Sequence, residues 1–316
     1  MEAIFIGSSD AARVVLEELL GNRDVQINLV VSRPDRKAGR GKFPTPTPVS
    51  CYARSKAIPL ITPNSWRDGA ALRAVSEVRS QVIIVAAYGL LLPAELLSIP
   101  TYGVLNIHPS LLPVYRGPSP VVTALLDGVS LTGVSVMELD QGFDTGPIVS
   151  QKEVRIEKDE SAESLERRLF GIGAKELLEV LPAWASGELS SRKQDEEAAS
   201  YTKRFNKSDG QIDCNKTTQA IINQIRAFTP WPSSYVVWEG KTVKILEARA
   251  RLSEETMASG IAPGTAMVYQ AEGSNFPALK TLNGILVLVR VQMEGRTPVD
   301  GQDFLNGYPS FIGSHL

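Results

Sequence analysis

The chain of 316 residues is long enough for one large or two modest domains. Its apolar fraction of 43% and charged fraction of 22% are those of a soluble globular protein. A net charge of −2 excludes a whole-protein attraction to nucleic acid, so any such partner must meet local basic patches.

Residues 3–6 read as a buried strand and residues 10–20 as a helix, with Val14, Val15, Leu19 and Leu20 at helical spacing. The turn between them, Gly7-Ser8-Ser9-Asp10, keeps one glycine of the three in a dinucleotide fingerprint, which argues against a nicotinamide dehydrogenase. Residues 27–31 form a second strand. A basic stretch follows, with Arg33, Arg36, Lys37, Arg40 and Lys42 against Asp35 alone. Such a loop can swing toward phosphates and present arginine to a groove, or it can be a plain solvated loop. Residues 82–86 are a continuous apolar run, suited to a central parallel strand. Residues 103–107 read as the next strand, 120–126 as a short helix, 134–139 as a strand, and 148–156 as an alternating edge strand. Residues 161–184 make a long amphipathic helix, with Gly187 just beyond its end. This alternation predicts an α/β, Rossmann-like, mostly parallel sheet.

The pattern then changes. A polar stretch separates a catalytic domain (1–189) from a C-terminal domain (209–316), with 190–208 as linker. One helix (217–227) is followed by short β segments at 235–238, 242–247, 263–268, 278–282 and 285–292. Several short strands in about a hundred residues predict a small barrel of the oligonucleotide-binding type.

The chemistry concentrates where the strand at 103–107 ends. Strand alternation puts Asn106 and His108 on one face, at the carboxyl end where open α/β sheets bind ligands. A carboxylate follows in Asp140-Gln141-Gly142-Phe143-Asp144-Thr145-Gly146. Carboxamide, imidazole and carboxylate together suit acyl transfer, as oxyanion donor, proton shuttle and orienting charge. The chain has two histidines and His315 is next to last, so any imidazole proton transfer falls to His108. From chemistry alone, a turn-capping Asn106 and a structural His108 stand equally open. Cys51 and Cys214 lie far apart and fit neither a disulfide framework nor a metal site. No secretory leader and no run of membrane-span length is evident, so a cytoplasmic location without a membrane partner is expected.

The words Asn106-x-His108-Pro109-Ser110-Leu111-Leu112-Pro113-x-x-Arg116-Gly117 and Asp140-x-Gly142-x-Asp144-x-Gly146 resemble those of the folate-dependent formyltransferases. The resemblance implies Asn106, His108 and Asp144 as catalytic residues, 10-formyltetrahydrofolate as formyl donor, and no metal. It implies a pterin-side loop with Ala86, Tyr88 and Leu90, and an opposite wall of Ser110, Leu111, Leu112 and Pro113; plain core remains open for the leucines. Arg116 is available for an acceptor phosphate or a structural carboxylate.

The segment at residues 34–49 is similar to the insertion loop of the family's tRNA-directed members, which enters the acceptor end of the tRNA. It implies transfer to the α-amino group of methionine on initiator methionyl-tRNA. Arg40 maps onto the arginine of that loop, and Arg36, Lys37, Lys42 and Lys207 are further candidate tRNA contacts. A monomer is expected. Alternatives are a sugar-nucleotide amine formyltransferase, with no need for Arg40, and a non-catalytic binding protein. Departures from the family words are Ala11, where an aromatic is usual, Pro147, where Asp is common, and a C-terminal domain with as many acidic as basic residues from Asn206 onward.

Overall fold

Continuous apolar runs and amphipathic stretches alternate to build the first of two units, comprising residues 1–120, 130–156 and 164–203. The computed structural model describes residues 1–38, 43–67, 69–252, 260–271 and 273–316, with only the backbone at 37 and 38. The strands of this unit are β1 (Glu2–Gly7), β2 (Gln26–Val31), β3 (Arg36–Ala38), β4 (Phe43–Thr45), β5 (Leu60–Ile61), β6 (Val82–Ala86), β7 (Val104–His108), β8 (Leu131–Glu138) and β9 (Ile148–Arg155). Seven of them form one sheet in the order β5-β2-β1-β6-β7-β8-β9. The first five are parallel; β8 runs antiparallel to β7, and β9 antiparallel to β8 at the edge. The sheet is thus mostly parallel and the 148–156 strand lies at an edge, as expected.

Both faces are covered, which is why β6 is apolar throughout and β1 from Ala3 onward. On one face Ala3, Phe5, Leu105 and Ile107 meet helices α1 (Asp10–Gly21) and α6 (Ala162–Ser186). On the other, Ile4, Ile6, Ile83, Val85 and Val104 pack with Tyr88 and Leu96. The stripe α1 buries is Ala11, Ala12, Val15, Leu16 and Leu19; Ser9 caps it by accepting from the Ala12 N–H at 3.1 Å. Gly173 lets α6 lie close on the sheet. A Cβ there would stand 2.5 Å from Ile107 and 2.6 Å from Val134. Between α1 and α6 come α2 (Pro48–Ser55), α3 (Ala70–Glu77), α4 (Ala94–Leu97) and α5 (Pro120–Asp127).

The stretch expected as a linker divides. Arg192 bridges to Ile148 and Tyr201 to Arg116, so the first unit runs to Lys203. The second unit holds residues 121–129, 157–163 and 204–316. Its sheet is all antiparallel, in the order β10 (Ser234–Trp238), β11 (Lys241–Arg251), β14 (Gly284–Met293), β13 (Ser274–Thr281), β12 (Ala266–Ala271), with β15 (Val299–Asp300) on β14. Helices α7 (Thr218–Ala227) and α8 (Gly301–Gly307) cover its apolar side. Trp238, Phe304 and Phe311 meet edge to face there, at 5.1 and 5.5 Å. Strands expected at 263–268 and 278–282 are shifted toward each other, because Gly273 at φ +76° permits a tight turn that pairs Ser274 with Ala271. Among the described residues no helix is long and apolar enough to cross a membrane.

Candidate active site

Leu105 and Ile107 are drawn into the core under α6, so alternation turns Asn106 and His108 to the opposite face of β7. Both are buried, at 8% and 4% exposure. Asn106 lies beside Val85 of β6 and Met137 of β8, and His108 beside Ser135. The His108 ring is held from both sides. Its Nε2 donates to the Tyr115 carbonyl at 3.0 Å, while Nδ1 stands 3.6 Å from Asp144 Oδ1. The second distance is too long for a hydrogen bond, so the carboxylate stands beside Nδ1 without bonding to it. Asp144 Oδ2 in turn accepts from the Gly117 N–H at 2.8 Å. Asp144 and Tyr115 both stand in the left-handed region, at φ +56° and +62°. The two aspartates of the glycine-rich turn differ in task. Asp140 accepts from Thr145 Oγ1 and the Gly142 N–H, closing the turn on itself. Asp144 is thereby left facing the imidazole.

Behind this trio lies a polar cluster. Arg116 is 0% exposed and binds Glu196 with both terminal nitrogens, at 2.9 and 2.8 Å. Its Nη1 also donates to Tyr201 Oη at 2.9 Å, and its Nε to Gln194 Oε1 at 2.9 Å. Gln194 Nε2 donates to the carbonyls of Asp144, at 2.8 Å, and Gly146, at 2.7 Å. Of the two roles open to Arg116, the structural carboxylate is the one found; the burial removes it from any acceptor phosphate. The Arg116 hydrogen bonds hold the Glu196 carboxyl below the usual carboxylate range. The pair is therefore intact at neutral pH, and its contribution fades only as pH falls through that depressed value. Sequence reasoning missed Gln194 and Glu196. They sit in a charged stretch that looks like solvent-exposed chain, some eighty positions from their partner.

The other expected residues fall into three groups. Ser110 and Leu112 face inward: Ser110 Oγ donates to the Val114 carbonyl at 2.6 Å, and Leu112 packs with Met137 and Ile148. Leu111 lies against bare Gly133 of β8, and Pro113 is half-buried. Ala86 ends β6, Tyr88 follows it under cover, and Leu90 is exposed at the rim. The Tyr88 hydroxyl faces the Trp66 indole N–H without reaching hydrogen-bond geometry, so both polar atoms are buried unpaired among the described residues. Burial pushes the Tyr88 phenol up, which keeps it a donor. Arg36 is exposed on the hairpin that β3 and β4 make. It lines a cleft of about 390 Å³ with Ser8, Arg33, Thr47, Tyr88 and Pro118. The Lys37 backbone belongs to that hairpin; Arg40 and Lys42 lie outside the described residues. Lys207 opens an exposed 3-10 turn of the second unit, capped by Asn206. Ala11 is buried on the inner face of α1, and Pro147 is half-buried, its carbonyl accepting from the Glu138 N–H. No group of three or more metal-ligating side chains occurs among the described residues.

The formyl transferase family matches residues 1–181, and the formyl transferase C-terminal domain matches residues 204–309. A methionyl-tRNA formyltransferase of Roseiflexus castenholzii (strain DSM 13941 / HLO8) is 41% identical over 316 residues, covering 100% of this chain and 99% of the relative. One of Thermus thermophilus is 40% identical over 316 residues, with coverage of 100% and 99%. Among solved structures, an N-formyltransferase from Helicobacter canadensis in complex with folinic acid and dTDP-3-aminofucose has a TM-score of 0.65 at 20% identity, over 90% of this chain and 98% of that one. A sugar 3N-formyl transferase has a TM-score of 0.63 at 18% identity, over 94% and 99%. These two bear on the fold alone. With both units matched and relatives near 40% identity along the whole length, the chain belongs to the formyl transferase family.

Proposed function

We propose that this chain transfers the formyl group of 10-formyltetrahydrofolate to the α-amino group of methionine on initiator methionyl-tRNA. The observation that carries the chemistry is the His108–Asp144 contact at the end of β7, with Asn106 two residues before the imidazole. The acceptor follows from full-length similarity to methionyl-tRNA formyltransferases.

The surroundings fit a folate. A flat heteroaromatic ring with donors and acceptors needs apolar walls and a few polar partners. The segment after β6 offers exposed Leu90 and Leu91, with the unpaired Tyr88 hydroxyl behind them. The donor supplies an activated formyl carbon and a departing amine nitrogen. The acceptor amine must be neutral to attack, and negative charge then gathers on the formyl oxygen. Asn106, on the same face of β7 as His108, donates its carboxamide N–H to that oxygen. His108 moves the proton. Its Nε2 is taken by the Tyr115 carbonyl, so exchange runs through Nδ1, which faces Asp144. The Asp144 carboxylate orients the ring and steadies it when both nitrogens carry protons. Ser8, Arg33 and Arg36 line the cleft in which the acceptor end of the tRNA lies, with Arg40 and Lys42 following Arg36 in sequence.

The test incubates the protein with 10-formyltetrahydrofolate and methionyl initiator tRNA and follows formylmethionyl-tRNA on an acid gel. A sugar-nucleotide amine runs in parallel. Rapid formylation of the tRNA is expected. Turnover of the sugar amine alone would overturn the acceptor and keep the chemistry. No transfer to either would overturn both.

A further inference from the structure

Within the turn carrying Asp144, the Asp140 carboxylate ties down Gly142 and Thr145 but not Asp144 itself. Gln141, Gly142 and Phe143 are exposed, and Asp144 is a side-chain-bearing residue in the left-handed region. A conformation of this kind persists only when the surroundings fix it. Two groups do so from outside the turn: the Gly117 N–H, on the Asp144 carboxylate, and Gln194 Nε2, on the carbonyls of Asp144 and Gly146. Gln194 is itself buried and aimed by Arg116 Nε, and Arg116 is fixed by Glu196 and Tyr201. Gly117, the next residue after Arg116, supplies the other support. One constraint on Asp144 thus leads back to the buried guanidinium, and the other comes from the backbone beside it.

We infer that Gln194 is a positioning residue for formyl transfer: its carboxamide, oriented by Arg116, fixes the backbone of Asp144 and so sets the Asp144 carboxylate against His108. The inference rests on the roles proposed above for His108 and Asp144. Its chemistry is specific to a carboxamide. The oxygen accepts from Arg116 while the nitrogen donates to two carbonyls, and no other side chain of this length does both. A glutamate would keep the bond to Arg116. It would also turn an oxygen toward two carbonyl oxygens, pushing the turn away without emptying any space.

The test compares Gln194→Glu, Asp144→Asn and the double variant, all as the full chain. The readouts are steady-state formylation of methionyl-tRNA, thermal unfolding and imidazole ¹⁵N spectra. Two histidines make the spectra simple, with His315 as internal reference. In Gln194→Glu, kcat should fall about 10²-fold, the loss typical of a small misplacement, with KM for both substrates little changed. The His108 resonances should move as they do in Asp144→Asn, while those of His315 stay. The double variant should be no slower than Asp144→Asn alone, because residues acting through one group do not add.

Wild-type turnover in Gln194→Glu, beside a slow Asp144→Asn, would overturn the positioning role and leave the reading of Asp144 standing. Losses that add in full would do the same. An Asp144→Asn variant of wild-type rate would remove the reading and the inference together. Should Gln194→Glu fail to fold, Glu196→Gln serves, since Glu196 is 69% exposed and its replacement loosens Arg116 without touching the turn. A smaller drop in kcat with the same shift at His108 supports the inference; unmoved His108 resonances overturn it.

Discussion

The loop after β7 and the hairpin of β3 and β4 belong to the same unit and are held in opposite ways. Many polar groups of the loop are tied to distant chain: the Leu112 N–H to Ser135, the Leu112 carbonyl to Gln151, the Tyr115 N–H to Ser200, the Gly117 N–H to Asp144. The hairpin bonds mainly to itself. Residues 43–45 are exposed, Phe43 at 75%, and Thr45 Oγ1 donates to the Phe43 carbonyl within the same strand. On the proposed function, the contrast separates two tasks. Charge developing on a small carbonyl oxygen is met only by donors fixed to a fraction of an ångström, so the loop is cross-braced. A large anionic partner is met by arginine on an accessible arm, where reach matters more than rigidity.

The contrast breaks most visibly at Asn106. Asn106→Ala should lower turnover by about 10²–10³, the usual loss for one oxyanion donor, without a shift in the unfolding midpoint. Near-normal turnover would return Asn106 to a structural role. A smaller effect is expected at Gly146, where a Cβ would stand 1.9 Å from the Glu138 carbonyl oxygen. Gly146→Ala should cost about 1–3 kcal/mol in denaturant unfolding, as overpacked sites do, and slow transfer by displacing Asp144. A variant as stable as the parent would mean that the turn gives more than its bracing suggests. Smallest is Arg36→Ala on the hairpin. It should weaken tRNA binding evenly across sequences and flatten the salt dependence by about one unit of slope, leaving KM for the folate untouched. An unchanged salt slope would take Arg36 out of the interface.

Much of the first unit was legible because burial on both faces leaves an unmistakable apolar run, as in β1 and β6, and because strand alternation is rigid enough to put Asn106 with His108. What stayed hidden has physical causes. The reversal of β8 against β7 is a matter of chain direction, which a run of apolar residues does not encode. The strands β3 and β5, three and two residues long, are too short for any period to register. The start of β13 reads as a turn, since Ser274, Asn275 and Pro277 are poor strand formers; cross-strand pairing with β12 overrides that preference. Gln194 and Glu196 stand among Lys193, Asp195 and Glu197, and nothing local distinguishes the two that bind Arg116 from their neighbours.

The Arg116 cluster also sets an order of events. Its partners Gln194, Glu196 and Tyr201 follow it by 78 to 85 positions. During synthesis, the strands and helices of the first unit emerge from the ribosome before these residues do. Until they arrive, the guanidinium lacks these partners and the turn bearing Asp144 lacks the Gln194 bonds to its carbonyls. On the roles proposed here, the last dozen residues of the unit act as a latch, and full activity is expected of the nascent chain only once synthesis has passed Tyr201.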